Sequence, residues 1–298
     1  MNEIDKIASS ELVLAPDGSL YHIRLTGDTL ADDVFLVGDP GRVNMFKNIF
    51  DKVEHETQYR ELHSVTGKYH GHRMTALSTG MGCDNIDIVL SELDAAANID
   101  LKSRRIKKHR RALRLVRIGT CGSLQREVAC GSRIVSACAI GLDGLLNYYE
   151  HEPSLMEESM QDALQRHLNL PSNMATPYCV AASNSLLNAT GFDMTRGITA
   201  TAPGFYAPQG RQLRIAPALH DLNEKLASFQ WNGMKVVNLE METSAIYGLG
   251  KIMGHETLTA CLVIANRADG TFLNEYEKPM RDLVATAMDR MSNVERQP

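Results

Sequence analysis

The sequence predicts a single α/β domain, and three observations carry that prediction. Short continuous apolar runs, such as Val34-Phe35-Leu36-Val37 and Leu113 to Val116, alternate with segments whose apolar residues recur at helical spacing. Continuous runs suit strands buried on both faces of a sheet. Residues fitted to hold a ligand gather just after those runs, where open α/β sheets bind small molecules. No internal repeat, linker or low-complexity tract divides the 298 residues, a length that one α/β domain accommodates.

Composition excludes several classes. With 44% hydrophobic and 22% charged residues the chain is ordinary globular protein. No run of eighteen apolar residues exists, so no membrane span is expected. The first fourteen residues carry acids and lack a basic stretch followed by an apolar block, which argues against a signal peptide. The six cysteines, at 83, 121, 130, 138, 179 and 261, show no C-x-x-C or Cys/His ligand spacing. They are expected to be reduced thiols of a cytoplasmic protein, with no metal site. A net charge of −5 speaks against a nucleic-acid partner. The exception is Lys102 to Arg114, where eight of thirteen residues are Lys or Arg. It lacks interleaved aromatics and is expected to be a solvated helix extension or loop.

In chain order, residues 1–20 form an N-terminal arm containing the turn Pro16-Asp17-Gly18-Ser19. The Val34–Val37 strand ends in Gly38-Asp39-Pro40-Gly41-Arg42, followed by a helix to Ile49. Such a strand-to-helix turn can aim backbone N–H groups and a guanidinium at an oxyanion. It is neither a Walker A motif nor G-x-G-x-x-G. Val53 to Thr79 alternates and predicts hairpin strands with turns at Gly67 and Gly71. Thr79-Gly80-Met81-Gly82 is a further glycine turn, Asp84 a helix N-cap, and Ile86, Val89, Leu90 and Leu93 the buried stripe of that helix. After the strand from Leu113, Arg117-Ile118-Gly119-Thr120-Cys121-Gly122 is expected to form a strand-end turn whose N–H groups, Arg117 and Thr120 can cradle an anion.

Further strands are expected over Gly131–Ala139, Tyr178–Ala182, Met234–Leu239 and Leu258–Ala265, with helices over Met156–Leu168, Thr243–Met253 and Pro279–Met291. The loop Pro203 to Arg211 crowds aromatics, Gln209 and Arg211 together. Gln and Arg side by side can grip the edge of an imide or amide ring. Glu240 and Glu242, at a strand end and helix start, can accept vicinal hydroxyls or simply favour the helix dipole.

Taken in order, Gly38-Asp39-Pro40-x-Arg42-Val43, Arg60-Glu61, Arg117-Ile118-Gly119-Thr120-x-Gly122, Phe205-Tyr206-x-x-Gln209-Gly210-Arg211, Glu240-Met241-Glu242 and Asn266-Arg267 resemble the nucleoside phosphorylase family, over about residues 20–292. The resemblance implies a three-layer sandwich with a central mixed β-sheet flanked by helices. The Gln-x-Arg loop and the Asn-Arg strand end are features of its uridine-type members, so it implies reversible phosphorolysis of uridine to uracil and ribose 1-phosphate. A purine phosphorylase, a nucleosidase of the same fold and a non-catalytic nucleoside-binding protein are the alternatives. Inorganic phosphate would be co-substrate, with no cofactor.

Carried over by position, Gly38, Arg42, Arg60, Arg117 and Thr120 would bind phosphate. His22, Met241 and Glu242 would bind ribose, and Phe205, Gln209 and Arg211 uracil. Arg117, Glu242 and Arg211 would carry the chemistry. Arg60 and His22 would come from a neighbouring subunit, which implies at least a dimer, possibly a hexamer. Against this pattern, residues 101–113 are a basic insertion, and Cys121 stands where many relatives have Thr.

Overall fold

The computed structural model describes residues 6–294. The first five residues, part of the arm just discussed, lie outside them. The chain runs β1 (Asp33–Val37), α1 (Pro40–Lys47), β2 (Lys52–Tyr59), β3 (Leu62–Tyr69), β4 (His72–Ser78), α2 (Cys83–Asn98), β5 (Ile99–Asp100), β6 (Arg105–Ile106), β7 (Arg114–Ser123), β8 (Arg133–Gly141), α3 (Glu158–Leu168), β9 (Tyr178–Ala181), α4 (Asn184–Thr190), β10 (Thr195–Thr201), α5 (Leu222–Ser228), β11 (Gln230–Trp231), β12 (Met234–Glu240), α6 (Thr243–Met253), β13 (Glu256–Asn266), β14 (Thr271–Phe272) and α7 (Glu277–Ser292).

Apart from the β5–β6 hairpin, the strands form one mixed sheet in the order β11-β12-β10-β8-β13-β7-β1-β4-β3-β2. The all-apolar run in β1 has its reason here: the strand lies parallel to both β4 and β7, and all five of its residues are buried. Strand β12 also pairs back on β7, through Leu239 opposite Gly122 and Asn238 opposite Ser123. That contact closes β12, β10, β8, β13 and β7 into a ring at one end of the sheet. Helices cover the sheet, and one large apolar core including Phe35, Phe46, Leu90 and Tyr247 runs beneath them. Helix α1 starts inside the expected turn rather than after Arg42, with Asp39 accepting the N–H of Gly41 at 2.8 Å and Pro40 in the first turn.

Four sequence expectations are corrected. Gly67 is inside β3, where a Cβ would meet the Lys52 carbonyl at 2.6 Å and the Phe50 ring at 2.7 Å; of the two expected turns only the one at Gly71 forms, with His70 and Gly71 both at positive φ. Helix α2 is capped by Gly82 at φ 94°, so Asp84 lies in its first turn and is not its N-cap. The segment Arg117–Gly122 is no turn, because β7 continues through it to Ser123. The basic run is not a helix extension. It makes the β5–β6 hairpin and the strap that follows, and several of its cations bind backbone carbonyls: Arg104 that of Leu12 at 2.6 Å, Lys107 that of Ala97 at 2.9 Å, and Arg111 those of Gly27 and Leu30 while pairing with Asp32. Arg114 forms a buried two-pronged pair with Asp33, each contact 2.6 Å.

Tyr247 fixes α6 to the ring. It is fully buried, its hydroxyl donates to the Ser136 carbonyl and accepts from the Thr259 N–H, each at 2.8 Å. Tyr247→Phe leaves both backbone groups without that partner and should cost about 1–3 kcal/mol. Urea denaturation should show a lower midpoint with an unchanged slope.

Candidate active site

A cleft of about 450 Å³ opens beside the C-terminal ends of β1, β7, β12 and β13. Of the residues singled out from sequence, Gly38, Arg42, Arg117, Thr120, Phe205, Gln209, Arg211, Met241 and Glu242 line it, drawn from segments up to two hundred positions apart.

At one end two guanidinium groups converge. Arg42 reaches from α1 toward the Ile118 carbonyl, 3.4 Å away. Burial, and then the charge of Arg117, push its pKa below the ordinary arginine value. Arg117 lies within β7, and its side chain folds back across Gly119. A Cβ on Gly119 would fall 1.8 Å from Arg117 Nη1. The glycine therefore serves to vacate space for the guanidinium, and the N–H nest expected of a turn is absent because β7 is laddered here to β13.

Arg117 holds the centre of the site. Its Nη2 donates to Glu242 Oε2 in a short contact and lies 3.3 Å from Glu240 Oε2, while Nη1 points at Cys261 Sγ, 3.3 Å away. Burial opposes the cation, but Glu242 and Glu240 together outweigh it and hold Arg117 above its usual pKa. Two carboxylates share this one guanidinium. Glu242 is accordingly raised above the ordinary carboxylate range, by burial first, with the Glu240 charge adding to it against Arg117 and the Gly82 N–H.

The two acids have different tasks. Glu240 accepts the N–H of Glu242 at 2.9 Å, the N–H of Thr243 at 3.0 and 3.1 Å, and the Thr201 hydroxyl at 2.6 Å. It caps α6 from the preceding strand. Glu242 is braced by the Gly82 N–H at 2.8 Å and by Arg117, and it lines the cleft with Met241. Of the two readings open for this pair, the helix start describes Glu240 and ligand contact is left to Glu242.

At the other end, Arg211 lies over the Phe205 ring at 3.7 Å and donates to Gln209 Oε1 at 2.6 Å and to the Phe205 carbonyl at 2.7 Å. Its pKa is pushed down to about 10, by burial and then by the nearby charge of Arg267. Arg267 packs its stem on Gly122, where a Cβ would meet its Cγ at 3.3 Å. Asn266 turns away from the cleft. Its amide donates to the Gln125 and Val128 carbonyls and its oxygen accepts from Ala268 and Asp269, so it clamps the loop.

His22 and Arg60 do not line the cleft of their own chain. His22 Nδ1 lies 2.6 Å from Glu92, and Arg60, in the β2–β3 turn, sits 5.4 Å from the Tyr59 ring centre. They nevertheless share one patch, since Tyr21 packs edge-on against both His22 and Tyr59. Sequence reasoning missed Ile264 and Phe272 as lining residues. Phe272 enters on β14, two residues that fold back on Ala265 and Asn266, too short to leave a pattern. All six cysteines are free thiols. Among the described residues no helix is long and apolar enough to cross a membrane.

The fold is one shared with nucleoside phosphorylases. The phosphorylase superfamily profile matches residues 32–294, and the chain belongs to that superfamily. It is similar to the uridine phosphorylase of Thermococcus kodakarensis, 29% identical with 92% of this chain and 87% of that protein covered. It is also similar to a DeoD-type purine nucleoside phosphorylase of Streptococcus suis, 25% identical with 91% and 98% covered. Among solved structures, a Trypanosoma brucei nucleoside phosphorylase described as showing uridine phosphorylase activity superposes with a TM-score of 0.80 at 28% identity, covering 93% of this chain and 99% of that one.

Two outcomes follow from the Arg117 cluster. Gly119→Ala should displace the guanidinium and lower kcat/KM about a hundredfold, since a misplacement of about 1 Å can cost that much; circular dichroism should show the fold retained. Glu240→Gln removes a like charge from beside Glu242. The acid limb of kcat/KM against pH, set above the ordinary carboxylate pKa by Glu242, should therefore move to lower pH in that variant.

Proposed function

We propose that the protein catalyses reversible phosphorolysis of uridine to uracil and ribose 1-phosphate. The observation that carries this reading is the charge pattern of the cleft: Arg42 and Arg117 at one end, Arg211 backed by Arg267 at the other, and Glu242 between them. Phosphate held by the first pair attacks C1′ of the ribose. The C1′–O bond forms as the C1′–N1 bond breaks, and the electron pair leaves on the uracil ring. The sugar passes through an oxocarbenium-like state with Glu242 accepting its hydroxyls. Gln209 and Arg211 face the ring, where their donors stabilise the departing anion.

No general acid is needed at the base end, consistent with Asn266 being engaged in its loop rather than replaced by a proton-donating Asp. The names of the relatives support the same reaction class. Inorganic phosphate is then the co-substrate and no cofactor takes part. His22 and Arg60 complete the ribose and phosphate sites of a neighbouring subunit, which makes the working form at least a dimer. The setting is cytoplasmic nucleoside salvage.

Because a relative named for purine nucleosides also matches, the test sets uridine against inosine and adenosine, each with and without phosphate. Phosphate-dependent release of uracil, preferred over either purine, is the expected result. Equal turnover without phosphate would make the protein a nucleosidase, and preference for inosine a purine phosphorylase. Arg211→Ala should lower kcat/KM for uridine by about 10² to 10³ while leaving phosphate affinity within about twofold of wild type.

A further inference from the structure

Arg24 and Arg60 both occupy the left-handed backbone region, at φ 56° and 54°. Side chains other than glycine, and outside it mainly Asn and Asp, avoid that region. For Arg60 the hairpin between β2 and β3 accounts for it, and Arg24 closes the turn from Leu20 to Leu25, its N–H donating to the Leu20 carbonyl at 3.1 Å while the Leu20 N–H donates to the Leu25 carbonyl at 3.0 Å. Glycine would sit there without strain, so a long cationic side chain is held at this position against the backbone's preference. Strain of this kind gathers where a side chain must be aimed.

What Arg24 is aimed at is a shared aromatic plate. Its guanidinium carbon lies 4.1 Å from the Tyr59 ring centre and 5.5 Å from that of Tyr21, while Arg60 lies 5.4 Å from the Tyr59 centre. The two tyrosine hydroxyls are hydrogen-bonded at 3.3 Å, which sets the rings relative to each other. Among the described residues no carboxylate pairs with either arginine, whereas the neighbouring His22 is held by Glu92. The two guanidinium groups therefore share the Tyr59 side chain, and the opposite charges near them, Asp17 for Arg24 and Glu61 for Arg60, act through space without forming an ion pair. Such an arrangement fits a tetrahedral oxyanion, which takes several charge-assisted hydrogen bonds at once.

We propose that Arg24 acts beside Arg60 as a second cation for inorganic phosphate, the pair presented by one subunit to the cleft of another. The proposal rests on the reading given above, in which Arg60 completes a neighbour's phosphate site. It adds a residue to which that reading assigns nothing.

The test compares wild type with Arg24→Gly and Arg24→Lys. Glycine suits the backbone at this position, so loss of folding does not confound the result. In steady-state kinetics Arg24→Gly should raise the KM for phosphate about tenfold, the loss of one charged hydrogen bond, with kcat and the KM for uridine within about twofold. Arg24→Lys should recover part of that loss. Calorimetric titration with inorganic phosphate alone should show the same order of affinities, with sedimentation unchanged. Unaltered phosphate KM and affinity in Arg24→Gly would overturn the proposal, as would a rise in uridine KM alone. A drop in melting temperature or dissociation as the only effect would also overturn it, since Arg24 would then be a staple between the arm and the β2–β3 hairpin. If wild type binds phosphate but does not turn over uridine, the uridine reading fails, and the calorimetric comparison still decides the role of Arg24.

Discussion

The site depends on one buried cation shared between two buried anions. Removing charge from water is costly unless it is paired, and Arg117 is paired on both sides, by Glu242 and Glu240. The arrangement does three things at once. It keeps a guanidinium charged in a dry cleft, it aims Glu242 at the place where a sugar would lie, and it ties the start of α6 to the middle of β7. Burial, with the charge of Glu240 adding to it, leaves Glu242 easier to protonate than an exposed acid. Its acceptor strength is therefore sensitive to whatever cation or hydroxyl enters beside it.

The ends of the cleft follow a second constraint, that like charges be held near one another by their surroundings. Arg42 lies against Arg117, and Arg211 near Arg267; burial first, and then the neighbouring charge, lowers the pKa of Arg42 and of Arg211. On the proposed reading such pairs are tolerable because ligand charge neutralises them. Inorganic phosphate would do so at one end. At the other, charge that develops only as a bond to the base breaks would do so, which stabilises the transition state more than the ground state.

Much of this was legible in the sequence, for physical reasons. Continuous apolar runs mark strands buried on both faces, and β1 and β13 stand where such runs predicted them. Ligand-like residues at strand ends and in glycine-rich segments marked the cleft, and nine of those singled out do line it. The misreadings share a cause: a glycine does not reveal whether it allows a bend or a close contact. Gly67 and Gly119 both proved to be close contacts inside strands, the one under Phe50 and the other under Arg117. Nor could the local sequence separate Glu240 from Glu242, two positions apart at one helix start, because distant partners hold them in their different places, the Thr201 hydroxyl on Glu240 and Arg117 with the Gly82 N–H on Glu242. The cations of residues 102–114 were illegible for a similar reason, since Arg104, Lys107 and Arg111 bind backbone carbonyls of Leu12, Ala97 and Gly27, which leave no mark in the sequence.

The pairing of β12 back onto β7 has a consequence for how the protein comes into being. Residues near 122 meet partners near 239, and the cleft wall is finished only by Phe272. While the chain leaves the ribosome, Arg117 therefore waits without Glu240 and Glu242 until the final fifth begins to emerge. Contacts so distant along the chain form slowly, so the nascent polypeptide passes through a long interval with half a ring and an open sheet edge, the stage at which it most needs protection from its neighbours.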